Sequence, residues 1–234
     1  MHRILPSPSE TSTIEQAYTG PLGTREDRPW VGLCMVASLD GSTVVDGASA
    51  GLSSENDSGV LLRLRALADV LVVGAGTARG EGYGPPSKPG QRIGVVTRSG
   101  SVDTSSELFT SGAGFVITTS TTTFDERGVD VVRAGGDEVD LAAAMVLLDD
   151  VAPGARYVQV EGGPSLNGAF ADADLFDELN LTTSPALVGG DGPRLVSGAG
   201  DLSAVFELVQ MIVDDEAFVF SRWRRRRGVA PASP

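Results

Sequence analysis

From Trp30 onward, short apolar runs alternate with helical patterns, and that alternation limits the fold more than any other feature. Trp30 to Ala37 reads as a buried strand. Glu55 to Ala68 reads as a helix, with Ser53 or Ser54 to cap it and Leu61, Leu64 and Leu67 at helical spacing. Val70 to Val73, Arg92 to Thr97, Gly114 to Thr118 and Val129 to Arg133 read as further strands. A helix is expected from Asp137 through Leu148, with Val139, Ala142, Ala143, Val146 and Leu147 on its apolar side. Arg156 to Val160 reads as a strand and Pro164 to Phe170 as a helix. The character then changes: Glu178 to Leu187, Val205 to Val213 and Ala217 to Trp223 look like consecutive strands, with Asp214-Asp215-Glu216 as a tight turn. Strand–helix alternation implies one α/β domain with a mixed, mostly parallel sheet and helices on both faces. The last strands predict a C-terminal antiparallel hairpin.

The chain carries 18 basic and 31 acidic residues, a net charge of −13. That argues against broad nucleic-acid or anionic-membrane binding, which needs a basic face. A single cysteine, Cys34, excludes a disulfide within the chain, and with a single histidine, His2, no Cys/His zinc site can be built; no metal is expected. No apolar run approaches the ~20 residues of a membrane span, so a cytoplasmic protein is the expectation. Residues 1–28 read as an arm that is mobile or packs on a partner, and 224–234 as a basic tail with Arg224 to Arg227 solvated and Gly228 to Pro234 disordered.

Two glycine-rich turns follow expected strands: Gly74-Ala75-Gly76-Thr77, and Gly162-Gly163-Pro164-Ser165-Leu166 after Glu161. At such turns, free N–H groups and the positive helix end can hold a phosphate. Two of them at strand ends of one sheet mark the edge where α/β proteins bind ligands. Asp40, in Ser38-Leu39-Asp40-Gly41, reads as a turn residue, or as a carboxylate orienting a ligand. Arg63 reads as solvated, whereas Arg65 sits among apolar positions and can meet an anion or an acid. Glu161 ends a strand, where a charge is costly unless paired or bound to a ligand. Arg98, in Thr97-Arg98-Ser99, reads equally as a phosphate ligand or an exposed loop residue. A domain with cradles but no metal, thiol or histidine catalyst suits chemistry carried by a cofactor, such as hydride transfer.

Ser38-Leu39-Asp40-Gly41, Leu64-Arg65-Ala66 with Asp69 to Thr77, Glu161 to Leu166, Asp177-Glu178-Leu179 and Pro185 to Gly190 together resemble the pyrimidine reductase family of riboflavin biosynthesis. The likeness covers about residues 29–223, and the family has a dihydrofolate reductase-like fold. It implies NADPH as cofactor and reduction of the ribosyl group of 5-amino-6-(5-phosphoribosylamino)uracil. By that resemblance Gly74, Gly76, Thr77 and Glu81 would lie along the cofactor, with Gly51, Val36 and Ala37 near its nicotinamide. Gly162 and the run from Gly163 through Ala169, with Pro164, Ser165, Leu166 and Asn167, would wrap the pyrophosphate. Thr97, Arg98 and Ser99 would approach the adenosine phosphate. Ser49 and Arg65 would contact the pyrimidine nucleotide, with Glu161 at its polar edge. Asp40, Glu161 or water would supply the proton that accompanies hydride.

The chain departs from the family where lysines are common, with Cys34 before and Ser42 after the Ser38–Gly41 turn, and between Gly80 and Pro89. Lost lysines remove positive charge from the expected phosphoribosyl site. The alternatives are an NADPH-dependent reductase of another substrate, such as dihydrofolate or a pterin, and an NADP-binding module without turnover. The resemblance also implies a homodimer, with the late hairpin offering an edge for pairing.

Overall fold

The computed structural model describes residues 1–6, 9–201 and 204–228; the tail expected to be disordered lies, from residue 229 on, outside them. Eleven strands form one sheet. Its central strands are β3 (Trp30–Ala37), β8 (Tyr157–Val160) and β4 (Val70–Gly74), and β5 (Arg92–Val96), β6 (Gly114–Thr118) and β7 (Asp130–Arg133) continue it on one side. All of these pair in parallel, as does β9 (Glu178–Thr183) on β3. β10 (Phe206–Val213) and β11 (Val219–Arg225) form the expected antiparallel hairpin, with β11 on β9.

Adjacent residues of the inner strands bury on opposite faces. Val70 and Val72 pack with Leu141, Ala144, Met145 and Leu148 from α5 (Leu141–Leu147) and the residue after it, and with Leu166 and Phe170 of α6 (Pro164–Asp172). Leu71 and Val73 pack on the other face with Ala75 of α3 (Ala75–Gly80) and Leu108 and Phe109 of α4 (Glu107–Thr110). Coverage on both sides explains why these strands read as unbroken apolar runs.

Several boundaries differ from expectation for local reasons. β9 stops at Thr183 because Pro185 has no N–H for a ladder. α5 begins at Leu141, where the Asp140 carboxylate accepts from Ala143 N–H at 3.0 Å. The buried stripe is therefore Leu141, Ala144 and Met145, and Val146 is left 59% exposed.

The described residues among the first 28 pack on the protein's own sheet. β1 (His2–Leu5) pairs with β10, β2 (Glu10–Thr11) with β1, and a Thr13–Gln16 capping box starts α1 (Ile14–Ala17). β1 thus covers the Met211–Val213 part of the hairpin's outer edge, and among the described residues no strand pairs with its Phe206–Gln210 part. α1 lies against α2 (Glu55–Leu67), where a Cβ on Gly59 would come 2.6 Å from Ile14 Cδ1. Arg63 is not solvated, since its Nε donates to the Tyr18 carbonyl at 2.8 Å.

The arginines of the tail are engaged too. Arg224 and Arg225 end β11, Arg225 pairs with Asp174 at 2.9 Å, and Arg227 pairs with Asp177 at 3.0 Å. The buried Asp177 also holds Arg28 at 2.6 Å, so both ends of the chain close on one carboxylate. Beside it, buried Glu178 accepts from Leu22 N–H (2.6 Å), Trp30 Nε1 (2.9 Å) and Asn180 Nδ2 (2.9 Å) and faces Arg222 at 3.4 Å.

Candidate active site

β3, β8 and β4 lie side by side, but the chain leaves them in opposite directions. After β4 it continues outward to β5; after β8 it returns through α6 to β9 on the far side of β3. A crevice at the carboxyl ends is the consequence, and it is where open α/β sheets bind ligands. A cavity of about 780 Å³ occupies it. Its walls are Cys34, Met35 and Val36 of β3, the Thr43–Ser58 segment leading into α2, Gly76 to Glu81 with Tyr83, and Glu161, Gly163 and Pro164.

The two glycine turns meet here. Gly74 N–H donates to the Gly162 carbonyl at 2.7 Å. Gly162 has φ +83°, a conformation that suits glycine, and a Cβ on Gly163 would come 2.7 Å from Thr77 Oγ1. A Cβ on Gly76 would meet nothing within 4 Å. Packing within the protein therefore does not explain that glycine, which instead leaves bare backbone on the cavity wall. The N-cap of α6 is Gly163, which has no side chain to cap with, so the Ser165 and Leu166 N–H groups stay free. These features fit a pyrophosphate group.

Glu161 closes the floor. Its carboxylate accepts from Arg65 Nε (2.8 Å) and Nη2 (2.7 Å), Tyr83 OH (2.6 Å) and Gln159 Nε2 (3.0 Å). The Arg65 guanidinium also lies over the Tyr83 ring, 5.2 Å from its centre. Burial, then the Glu161 charge, pushes the Tyr83 phenol above its ordinary range. Burial likewise pushes the Cys34 thiol well up. Across the cavity the Ser49 hydroxyl donates to Glu81 at 3.2 Å, linking the 3-10 turn Ser49–Leu52 to the end of α3.

Of the residues expected at the site, Val36, Ser49, Gly76, Thr77, Glu81, Glu161, Gly163 and Pro164 line this cavity. Gly74, Gly162, Ser165, Leu166 and Asn167 stand directly behind that wall, where the Asn167 amide donates to the Leu195 carbonyl at 2.8 Å. Arg65 reaches the floor through Glu161 and itself lines an adjoining cavity of about 430 Å³ with Lys88. Thr97, Arg98 and Ser99 follow β5, beyond the cavity, and Arg98 pairs with Glu138 on the surface. Ala37 ends β3, outside the cavity lining, where its carbonyl accepts from Ser184 N–H. Gly51 is also outside the lining, and a Cβ there would meet Val45 Cβ at 2.8 Å. Asp40 is not in the cavity either. Its carboxylate accepts from Ser38 Oγ (2.6 Å), Val188 N–H (3.1 Å) and Gly189 N–H (2.7 Å), so it ties two loops together. The Ser38 hydroxyl, then those amides, hold it well below the usual carboxylate range.

Sequence reasoning passed over Tyr83, Gln159 and Asp57. Only the Tyr83 ring, in a run of glycine and proline, offered a signal. Among the described residues no group of three or more His, Cys, Asp or Glu side chains gathers as metal ligands, and no helix is long and apolar enough to cross a membrane.

Residues 29–220 match the RibD C-terminal domain. The chain belongs to the RibD C-terminal domain family. Among relatives, it is 30% identical over 191 residues to the riboflavin biosynthesis protein RibD of Bacillus amyloliquefaciens, covering 75% of this chain and 51% of that protein. The chain thus spans about half the length of that RibD. It is 29% identical over 191 residues to the 2,5-diamino-6-ribosylamino-4(3H)-pyrimidinone 5′-phosphate reductase of Aquifex aeolicus, covering 74% of this chain and 85% of that one. A crystal structure of a pyrimidine reductase-like protein from Corynebacterium diphtheriae superposes with a TM-score of 0.77 at 25% identity, over 93% of this chain and all of that one. The dihydrofolate reductase-like fold of the RibD C-terminal domain is therefore the fold of this chain.

Proposed function

We propose that the protein is an NADPH-dependent reductase that delivers hydride directly to the ring-opened C1′ imine of a phosphoribosylaminopyrimidine such as 5-amino-6-(5-phosphoribosylamino)uracil. One observation carries the reading: the two glycine turns converge, Gly74 on Gly162, to make one wall of a ligand-sized cavity at the carboxyl edge of the sheet. When bound, NADPH supplies the hydride. Gly76, Thr77, Gly163 and the start of α6 would hold its pyrophosphate, and Val36 would face its nicotinamide. Arg98 would exchange Glu138 for the 2′-phosphate, with Thr97 and Ser99 beside it. Arg65, Glu161 and Ser49 would position the heterocycle.

The chain's contribution to rate is positioning and exclusion of water. Both Glu161 oxygens already accept two hydrogen bonds each, one of each pair from Arg65, and Asp40 stands outside the cavity. Cys34 and Tyr83 hold their protons too tightly. We therefore assign the proton on the imine nitrogen to water.

A second reading, reduction of dihydrofolate or another pterin, is favoured by one observation. Among the described residues no Arg, Lys or His lines the cavity, and buried Ser42 stands where the resemblance leads one to expect a lysine. Loss of NADPH absorbance with each substrate in parallel tests both. Turnover of the phosphoribosylamino compound supports the first reading, and turnover of dihydrofolate alone supports the second. No turnover with either, with NADPH still raising the melting temperature, would leave a binding module. We also propose a cytoplasmic homodimer, with the Phe206–Gln210 part of the β10 edge open for pairing; a monomer mass in light scattering refutes the dimer.

A further inference from the structure

One helix supplies much of the cavity's side-chain wall. α2 and the residues that lead into it contribute Ser53, Ser54, Glu55, Asp57, Ser58 and Leu61 to the lining. An α-helix turns about 100° per residue, so Asp57, Leu61 and Arg65 share one face, and Gly59 and Arg63 stand about 200° round from them. The first face fronts the site: Asp57 and Leu61 line the cavity, and Arg65 reaches its floor through Glu161.

The back of the helix is gripped by the N-terminal segment. Arg63 Nε donates to the Tyr18 carbonyl at 2.8 Å, and α1 comes so near Gly59 that a Cβ there would stand 2.6 Å from Ile14 Cδ1. Between the two faces, Val60 and Leu64 pack with Ala17, Tyr18 and Phe220. The segment is itself anchored to the sheet. Tyr18 is buried, with the Arg222 guanidinium 5.0 Å from its ring centre. Arg222 Nη2 donates to the Gly20 carbonyl at 2.8 Å, and Leu22 N–H donates to Glu178 at 2.6 Å. Arg222 and Glu178 are a buried pair on the adjacent strands β11 and β9. A fixed support thus stands behind α2, and it lies outside the residues, 29–220, that match the family.

We propose that the N-terminal segment clamps α2 against the cavity, and that Arg63 is the positioning residue of this clamp. The grip on the back of the helix sets how far Asp57, Leu61 and Arg65 reach on its front. The inference rests on the proposed reductase reading in one respect, that the α2 wall meets the substrate while the glycine turns hold NADPH. Releasing the clamp then loosens the substrate side of the cavity and leaves the cofactor side intact.

The chain carries its own reporter. Cys34, the single cysteine, lines the cavity and packs on the cluster that holds Val60 and Leu64 of α2. Outward movement of α2 uncovers it. The experiment is iodoacetamide labelling of Cys34, read by mass spectrometry, in the wild type, Arg63→Ala, Gly59→Leu and Arg63→Lys. Loss of a hydrogen bond from a charged donor raises local opening roughly 10-fold or more, and labelling of Arg63→Ala should rise with it. Gly59→Leu should label faster too, because it wedges α1 away while adding a better helix former. Arg63→Lys keeps a donor for the carbonyl and should stay near the wild type. In Arg63→Ala and Gly59→Leu, NADPH affinity by fluorescence titration should be unchanged, and KM for 5-amino-6-(5-phosphoribosylamino)uracil should rise with kcat kept.

Labelling at the wild-type rate in folded Arg63→Ala and Gly59→Leu overturns the proposal. So does faster labelling with a matching fall in NADPH affinity, because the segment would then hold the fold as a whole. An unchanged KM in a faster-labelling variant also overturns it. Faster labelling with NADPH affinity kept, but no reduction of any substrate by the wild type, upholds the clamp and sinks the reductase reading.

Discussion

Replacing Glu161 by Gln tests the floor of the cavity with almost no change of shape. The carboxylate accepts four hydrogen bonds, two on each oxygen: Arg65 Nε and Gln159 on Oε1, Arg65 Nη2 and Tyr83 on Oε2. An amide keeps one acceptor. Whichever way it turns, its NH2 faces an Arg65 N–H, and Arg65 has no lone pair to accept with. Breaking a fully buried ion pair costs about 3–5 kcal/mol. The Glu161 side chain is 3% exposed but that of Arg65 is 31% exposed, so water recovers part of the loss. About 2–3 kcal/mol remains, nearer the cost of one charged hydrogen bond lost. For a chain of this size that is a fall of roughly 4–12 °C in melting temperature. Tyr83→Phe, which leaves the carboxylate three donors, should cost about 1 kcal/mol. Differential scanning calorimetry of both variants decides the matter. A Glu161→Gln protein melting within about 1 °C of the wild type would show that the network does not hold the floor. In single-turnover kinetics the same variant should keep hydride transfer measurable at saturating substrate while KM rises; complete loss of the step in a folded protein would restore Glu161 as the proton source.

Three further outcomes are expected. Gly76→Ala meets no protein atom within 4 Å and should leave stability unchanged or raised by up to about 1 kcal/mol, while NADPH affinity falls at least roughly 10-fold; unchanged affinity by fluorescence titration would move the cofactor off that wall. Cys34 should resist iodoacetamide at neutral pH, because burial keeps its thiol protonated, and rapid labelling by mass spectrometry would contradict this. Asp40 has a folded-state pKa depressed below the unfolded one, so its stabilisation is present above the usual carboxylate range and is lost as pH falls below it; acid titration of Asp40→Asn should lack that part of the wild-type decline, and superimposable acid-unfolding curves would refute it.

What could be read from the sequence is mostly what backbone and periodicity determine. The parallel strands announce themselves as apolar runs, because both faces are covered. The glycine turns stand out because only glycine permits the approach of Gly163 to Thr77. The first 28 residues were opaque for the opposite reason. β1, β2 and α1 have only four, two and four residues, too short for any period to show, although Thr13 and Gln16 carry the spacing of a capping box. Arg224 to Arg227 read as a solvated run because charge pattern alone does not disclose Asp174 and Asp177, about fifty residues away in the chain. Asp57 hid in plain view: an acid in the first turn of a helix needs no explanation beyond the helix dipole until its burial is known.

The two halves of the cavity therefore differ in kind. The wall proposed to hold the cofactor is main chain and glycine at strand ends, so it is set by the fold. The opposite wall is side chain, brought together from β3, the Thr43–Ser58 segment and α2. A substitution there alters the ligand without disturbing the sheet. Cys34 and Ser42 stand where the resemblance leads one to expect lysines, and Asp57 is a buried carboxylate whose Oδ2 accepts from Ser53 Oγ. The nearest cations in the adjoining cavity are already committed, Arg65 to Glu161 and Lys88 to the Ala68 carbonyl at 2.7 Å. Among the described residues the cavity lining therefore holds four acids and no Arg, Lys or His. On this scaffold the side-chain wall can change while the glycine wall stays as it is.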